Sequence, residues 1–241
     1  SRLGQGQLED LLFVSLRDTT CDLLMAQTAE KLARERGIDR AAQDEYALRS
    51  MTEARRAMAA GLFADEIVPV RIETRRGAEE VREDDHLFQE PSQGALAALP
   101  PAFGKDGTVT AGNASGIVDG AAALVVAAPD GARAPGVAVL AEILGWGIAG
   151  VEPSLMGIGP VPAIRQALAA TGLALTAVDL FEINEAFAGH ALAVERELGL
   201  DRRRVNVNGG AIALGHPLGA TGARLALTLA LELRRRGARH G

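Results

Sequence analysis

The chain has 241 residues, of which 48% are apolar, enough for one large domain or two smaller ones with a substantial core. Lys and Arg together number 25 and Asp and Glu 31, which gives a formal net charge of −6. Because the chain is mildly acidic and has one Tyr and one Trp, nothing favours nucleic-acid binding. No apolar run reaches the roughly 18 residues of a membrane span, and the N-terminus lacks a signal-peptide pattern. We therefore expect neither nucleic acid nor a membrane as a partner.

The cysteine content bears on the compartment. Cys21 is the one cysteine in the sequence, so no disulfide can form within the chain. Proteins without disulfides are typical of reducing compartments. The sequence therefore predicts a cytoplasmic location.

The first hundred residues are predicted to be mainly helical. Apolar residues recur at helical spacing over residues 23–36, and Gly37 follows as a C-terminal cap. Asp39 is a good N-cap for a second, longer helix that extends to residue 60. Residues 66–70 read as a strand with an edge-type proline, and residues 95–99 as a short helix.

The second half alternates between strand and helix patterns. The apolar run 121–128 fits either a buried helix or a strand, and residues 129–136 are rich in turn residues. Beyond them we predict strands at 137–145, 178–183 and 205–207, and helices at 161–171, 185–198 and 221–236. Such alternation is typical of a layered α/β unit.

The stretch 206–224, NVNGGAIALGHPLGATGAR, contains the most unusual local sequence. Its glycines permit positive φ angles and close approach of the backbone to a ligand. His216 lies between two glycine-containing turns, where α/β proteins commonly place ligand-binding and catalytic groups. The alternative is a glycine-rich connection whose histidine only packs.

Three motifs together resemble those of the thiolases, which make or split the carbon–carbon bond between two acyl-CoA thioesters. They are the stretch 206–224, GNASG at 112–116 and NEAFA at 184–188, in the family's order. The resemblance covers essentially the whole chain. It implies an α/β protein with a partial thiolase-like layered αβα fold. The implied domains are a helical loop domain at 1–104, the end of the N-terminal domain at 105–131, and a C-terminal domain at 132–241 that lacks its last strand.

The resemblance also implies catalytic roles for His216 and Asn184. His216 matches the histidine that lowers the pKa of a cysteine nucleophile and donates to the oxyanion of the reacting thioester. Asn184 matches the residue that holds a water as the other oxyanion donor. From the residues alone, Asn184 could instead cap the helix predicted at 185–198, and the two roles are compatible.

Five residues match positions that contact the acyl-CoA substrate. They are Met25, Ser115, Met156, Phe187 and Gly215. Without the resemblance, Met25 could equally be a core methionine and Ser115 a turn residue. Coenzyme A is a substrate, and no other cofactor is implied. No histidine shares a metal-ligand spacing with carboxylates or cysteine, so we expect no metal. The family's usual arginine near the CoA adenosine phosphate is missing from residues 87–92.

Neither of the family's two catalytic cysteines is present. Cys21 lies in the segment 19–22, which resembles part of the loop domain, and the adjacent Asp22 would raise a thiol pKa. The chain also starts at Ser1 without an initiator methionine and stops at Gly241 soon after a predicted helix. We therefore expect part of a longer polypeptide that has no thiolase turnover by itself. Incomplete apolar cover would favour a homo-oligomer.

Two other functions are compatible with the motifs. A non-catalytic acyl-CoA-binding or scaffold subunit would need a partner chain that carries the cysteines. A ketoacyl synthase shares the thiolase fold but uses a histidine in place of Asn184, so the sequence disfavours it.

Overall fold

The computed structural model describes residues 8–86, 91–132 and 136–241. In chain order its helices and strands are α1 (Leu11–Ser15), β1 (Arg17–Asp18), β2 (Leu23–Leu24), α2 (Met25–Glu35), α3 (Arg40–Ala59), β3 (Val70–Thr74), β4 (Gly77–Val81), α4 (Gln93–Ala97), α5 (Pro129–Ala132), α6 (Pro160–Thr171), α7 (Ala188–Leu198), α8 (Ala211–Leu214) and α9 (Thr221–Arg236). Three 3-10 helices occupy Pro153–Ile158, Leu175–Ala177 and Arg202–Arg204.

The main core forms where α2, α3 and α7 pack together. Leu32, Tyr46 and Leu192, one from each helix, are at most 1% exposed and belong to one apolar cluster. The side chain of Asp39 accepts a hydrogen bond from Ala42 N at 2.8 Å, so the predicted cap of α3 is present. The helices predicted at 23–36 and 39–60 are thus confirmed to within two residues.

A second cluster joins α6 and α7 to the segment that leads to the glycine-rich stretch. It contains Val161, Ile183, Val194 and Val205. The strands predicted at 178–183 and 205–207 meet here through a single parallel bridge between Phe181 and Val205. Each segment is placed as expected, but neither extends into a ladder.

Two strand predictions are wrong. Strand β3 starts at Val70, opposite Val81 of β4, and residues 67–69 form no strand because Pro69 has no N–H to donate to a ladder. Residues 137–145 form no strand either. No strand among the described residues pairs with them, and Ile143 remains 68% exposed.

The apolar run 121–128 is neither helix nor strand. Val125 and Val126 are 98% and 74% exposed, so this run is not part of the core. The predicted turn at 129–136 begins with the short helix α5, and its residues 133–135 lie outside the described residues. The same holds for residues 87–90 of the segment that lacks the expected arginine.

The described ranges contain no helix that is both long and apolar enough to cross a bilayer.

Candidate active site

His216 is presented by a loop between α8 and α9, and Gly215 shapes that loop. Gly215 has φ +88°, which side chains other than glycine rarely adopt. A Cβ atom there would lie 2.5 Å from Cγ2 of Val118. Gly215 therefore serves the backbone geometry next to His216.

The two ring nitrogens of His216 have different partners. Nδ1 lies 2.7 Å from Oγ1 of Thr221, and Nε2 lies 3.3 Å from Nδ2 of Asn184. The Thr221 hydroxyl donates to the Pro217 carbonyl oxygen, so it accepts from His216 Nδ1–H. This pattern assigns the proton to Nδ1 and leaves the lone pair on Nε2.

The charge state of His216 follows from its surroundings. Partial burial lowers the pKa of its imidazole below the ordinary value, and the positive charge of Arg224 lowers the pKa further. A neutral imidazole with its lone pair on Nε2 can accept a proton from a neighbouring acid.

Asn184 lies on the segment that precedes α7. That helix begins at Ala188 with Phe187 as its N-cap residue, so Asn184 does not take the alternative role of helix cap. Its Oδ1 atom is buried and has no hydrogen-bond partner among the described residues. Asn184 therefore offers an unused acceptor beside His216, as required of a residue that holds a water.

The three sequence motifs meet around this pair. The segment 112–116 runs antiparallel to residues 186–188, through a bridge between Ala114 and Phe187. Ser115 donates from both its backbone N and its Oγ to the Ala186 carbonyl oxygen, at 3.0 and 3.1 Å. The backbone N of His216 donates to the Gly116 carbonyl oxygen at 3.0 Å.

The remaining predicted substrate residues lie around Phe187. Phe187 packs against the cluster of Ala26, Ala29 and Val109, in which Ala26 follows Met25, and Met25 itself is half-buried. His190 contacts Phe187 edge-on, with ring centroids 5.3 Å apart. His190 also lies against Gly157, where a Cβ would be 2.2 Å from its ring, and the neighbouring Met156 is 38% exposed.

Burial lowers the pKa of His190 to about 4, so its ring is neutral near pH 7. The sequence suggested no role for His190. The structure places it between Phe187 and the 3-10 helix Pro153–Ile158, which carries Met156.

A cavity of about 320 Å³ and another of about 500 Å³ are present, and the larger contains His216. The cavity is lined by residues 117–122 and 216–220 together with Leu12 of α1. His216 is the predicted site residue that lines this cavity. Met25, Ser115, Met156 and Phe187 do not line this cavity.

Sequence reasoning missed several residues that hold the site. Arg49 of α3 donates to the backbone carbonyls of residues 202 and 205, just before the glycine-rich stretch, and Arg56 donates to that of residue 207 within it. Thr221 lies five positions after His216 and is the first residue of α9. Glu185 stands beside Asn184, but its partners are distant in sequence.

Two other sequence expectations concern Cys21 and metals. Cys21 donates its backbone N–H to the Asp18 carboxylate at 3.0 Å, within the loop before α2. Within the described part of the chain, no group of three or more His, Cys, Asp or Glu side chains could hold a metal ion.

Comparison with known proteins supports the motif-based reading. Residues 1–130 match the family model of the thiolase N-terminal domain, and residues 137–241 that of the thiolase C-terminal domain. The human mitochondrial 3-ketoacyl-CoA thiolase is 50% identical over all 241 residues, which span 61% of that protein.

Solved structures give the same result. The acetyl-CoA acetyltransferase of Bacillus anthracis superposes with a TM-score of 0.94 at 48% identity, covering 98% of this chain and 60% of that one. The human mitochondrial 3-ketoacyl-CoA thiolase in complex with CoA superposes with a TM-score of 0.88 at 46% identity, covering 99% and 60%. The predicted fold class is confirmed: the protein has the α/β fold of thiolases and spans about 60% of the length of these relatives.

The predicted cytoplasmic location is wrong on this comparison. Three mammalian relatives at 48 to 50% identity, the human protein among them, are named as mitochondrial. A single cysteine excludes a disulfide within the chain, but it does not identify the compartment. The family assignment, in contrast, rests on models that match nearly the whole sequence: the chain belongs to the thiolase family.

Proposed function

We propose that these residues form part of the active site of a thiolase-type acyltransferase. The reaction is the reversible Claisen condensation and thiolytic cleavage of 3-ketoacyl-CoA with CoA and acetyl-CoA. The observation that carries the proposal is the contact between Nε2 of His216 and Nδ2 of Asn184 at 3.3 Å, beside a cavity of about 500 Å³.

The lone pair on Nε2 gives His216 its role in acyl transfer. A cysteine thiol transfers its proton to Nε2, and the resulting thiolate attacks the carbonyl carbon of an acyl-CoA. The carbonyl oxygen becomes negative as the new carbon–sulfur bond forms, and the protonated Nε2–H can donate to it. Collapse of this intermediate breaks the bond to the CoA sulfur, which leaves as a thiolate.

Asn184 supplies the second donor through a water. Its buried Oδ1 has no partner among the described residues, and a water bound there could donate its other hydrogen to the oxyanion. An amide suits this role because it positions the water without adding charge. Coenzyme A takes part as a substrate, and the reaction requires no resident cofactor.

The chemistry needs two cysteines, and the sequence contains one, Cys21. We therefore propose that the 241 residues alone do not turn over. A sharp test is a chimera in which this chain replaces the matched 60% of the Bacillus anthracis acetyl-CoA acetyltransferase. The expected result is cleavage of acetoacetyl-CoA by the chimera, none by the 241-residue chain, and a large loss in the His216→Ala and Asn184→Ala chimeras.

A chimera that matches the parent enzyme in circular dichroism and size but has no turnover would overturn this proposal. The second candidate, a binding subunit without catalysis, is favoured by the lone cysteine and its place beside Asp18. It predicts that such a chimera would still bind acetyl-CoA.

We also propose that the chain self-associates. The segment 137–148 exposes large apolar side chains, among them Trp146 at 76% and Ile148 at 82%. Contiguous apolar surface of this kind favours association.

A further inference from the structure

Glu185 is a fully buried carboxylate next to Asn184 in the chain. Its Oε1 accepts from Tyr46 Oη at 3.1 Å and from Asn206 Nδ2 at 2.8 Å. Its Oε2 accepts from Ser50 Oγ at 2.6 Å and from Ile212 N at 3.2 Å. Each oxygen thus has two donors, which saturates the acceptor capacity of a carboxylate.

These donors come from three separate parts of the fold. Tyr46 and Ser50 lie on α3, Asn206 opens the glycine-rich stretch, and Ile212 lies on α8, four residues before His216. Glu185 therefore connects the segment that carries Asn184 to the loop that carries His216, through the interior of the molecule.

The backbone around Glu185 is built for this contact. A Cβ atom on Gly210 would lie 2.3 Å from Cδ of Glu185, so only glycine lets the loop approach so closely. The backbone N of Gly210 donates to Ser50 Oγ at 3.1 Å, which extends the network from the carboxylate to the turn itself.

Asn206 holds the other side of Asn184. Its Oδ1 accepts from Ile183 N and its Nδ2 donates to the Ile183 carbonyl oxygen, both at 2.8 Å. Because Asn206 also donates to Glu185, the residues on both sides of Asn184 are fixed to the same side chain. The position of the Asn184 amide is thereby set relative to His216.

We propose that Glu185 is a positioning residue that holds Asn184 and His216 in their relative arrangement. The inference rests on the proposed function for its catalytic meaning. Glu185 does not act on the substrate, because it is 0% exposed. A glutamine could not replace it, because the single amide oxygen can serve one pair of donors while its NH₂ group would face the other pair.

The test measures the tautomer and the pKa of the His216 imidazole in the 241-residue chain. It does not depend on turnover. The ring nitrogens are observed by NMR across a pH titration in the wild type and in Glu185→Gln. We expect the variant to lose the predominance of the Nδ1–H tautomer, and the His216 pKa to move up towards its ordinary value as the loosened ring becomes more hydrated.

Glu195→Gln is the matched control. Glu195 is a buried carboxylate on α7, 4% exposed, and its ion pair is with Arg202 at 3.0 Å. This control should lower thermal stability while leaving the tautomer and pKa of His216 as in the wild type. A Glu185→Gln protein that is destabilised but has wild-type His216 signals would overturn the proposal.

If Glu185→Gln does not fold, Tyr46→Phe and Ser50→Ala decide the question. Each removes one donor and keeps the carboxylate. Both should shift the His216 signals in the same direction by a smaller amount, and no shift in either folded variant would refute the inference. An inactive chimera would leave these readouts untouched, so failure of the proposed reaction is distinguishable from failure of the positioning role.

Discussion

His216 and Asn184 are 32 positions apart in the chain, yet Nε2 of one lies 3.3 Å from Nδ2 of the other. The contact depends on which nitrogen of the imidazole carries the proton. Thr221 determines this, because its hydroxyl already donates to the Pro217 carbonyl oxygen and can only accept from Nδ1–H.

Replacing Thr221 by Val should therefore change the protonation pattern of His216. The variant loses the acceptor for Nδ1–H, so the two neutral tautomers become comparable in population. We expect a loss of about 0.5–1.5 kcal/mol in unfolding free energy, measured by urea denaturation, together with averaged ring nitrogen shifts in NMR spectra. Thr52→Val is the control, since the Thr52 hydroxyl is exposed and bonds within α3. Unchanged nitrogen shifts in Thr221→Val would contradict the assigned tautomer.

Gly215→Ala should destabilise the loop that carries His216. The substitution forces a side chain into φ +88° and places its Cβ 2.5 Å from the Val118 side chain. We expect a cost of about 1–3 kcal/mol in unfolding free energy, with part of it recovered by adding Val118→Ala. Gly222→Ala in α9 provides the opposite case, because it has open space and an ordinary φ angle. That variant should gain about 0.5–1 kcal/mol in unfolding free energy. If Gly215→Ala left the unfolding free energy unchanged, the loop would not be restrained as described.

Glu182 should make stability fall as the pH rises. Burial raises the pKa of Glu182 to about 8, and Arg224, whose Nη1 lies 3.7 Å from the carboxylate, opposes this shift without reversing it. Between the unfolded pKa near 4.5 and the folded value, the folded state holds a proton that the unfolded state has lost. The unfolding free energy therefore decreases across this window, by about 1.4 kcal/mol per pH unit at most.

Glu182→Gln should remove this decrease. Its unfolding free energy relative to that of the wild type should therefore be higher at pH 8 than at pH 5. Urea denaturation at several pH values measures it, with Glu45→Gln as the control because the Glu45 side chain is 73% exposed. The same pH dependence in Glu182→Gln and the wild type would refute the assignment.

Self-association should depend on the exposed apolar segment 137–148. We expect the 25.1 kDa chain to sediment as a concentration-dependent oligomer. The double variant Ile143→Ser, Ile148→Ser should shift it towards monomer, because these side chains are 68% and 82% exposed. The pair Val70→Ser, Ile72→Ser on the exposed strand β3 is the control and should have little effect. A wild-type chain that is monomeric at every concentration would be inconsistent with this view.

Asn184 and His216 could be singled out from the sequence because each stands in a contiguous motif. The motifs that carry Asn184, His216 and Gly215 resemble those of a known family. The role of Glu185 could not be inferred in this way, since its donors are up to 139 residues away in the chain. Its significance depends on tertiary packing that no local pattern records.

The strand prediction at 137–145 failed for a similar physical reason. Residues 137–145 have a strand-like composition, but a strand needs a neighbour to satisfy its backbone groups, and no described strand lies beside it. The helices depended less on distant partners. Gly37 and Asp39 are local signals: α2 ends just before Gly37, and α3 begins just after Asp39. At α7 the local signal, an asparagine near the start of the helix, was misleading. Asn184 does not cap the helix, and its first turn is stabilised by packing, since Ala188 is fully buried.

The hairpin of β3 and β4 is exposed along both strands, and the described side-chain hydrogen bonds of its residues stay within residues 70–82. Its turn contains Arg75 and Arg76, so trypsin can open the chain there. The two pieces would remain associated, because Glu30 holds the backbone of Thr108 and Asp44 accepts from Asn113 across the break. Cleavage at this hairpin would therefore leave two associated pieces, with α3 on the first and the pair Asn184–His216 on the second.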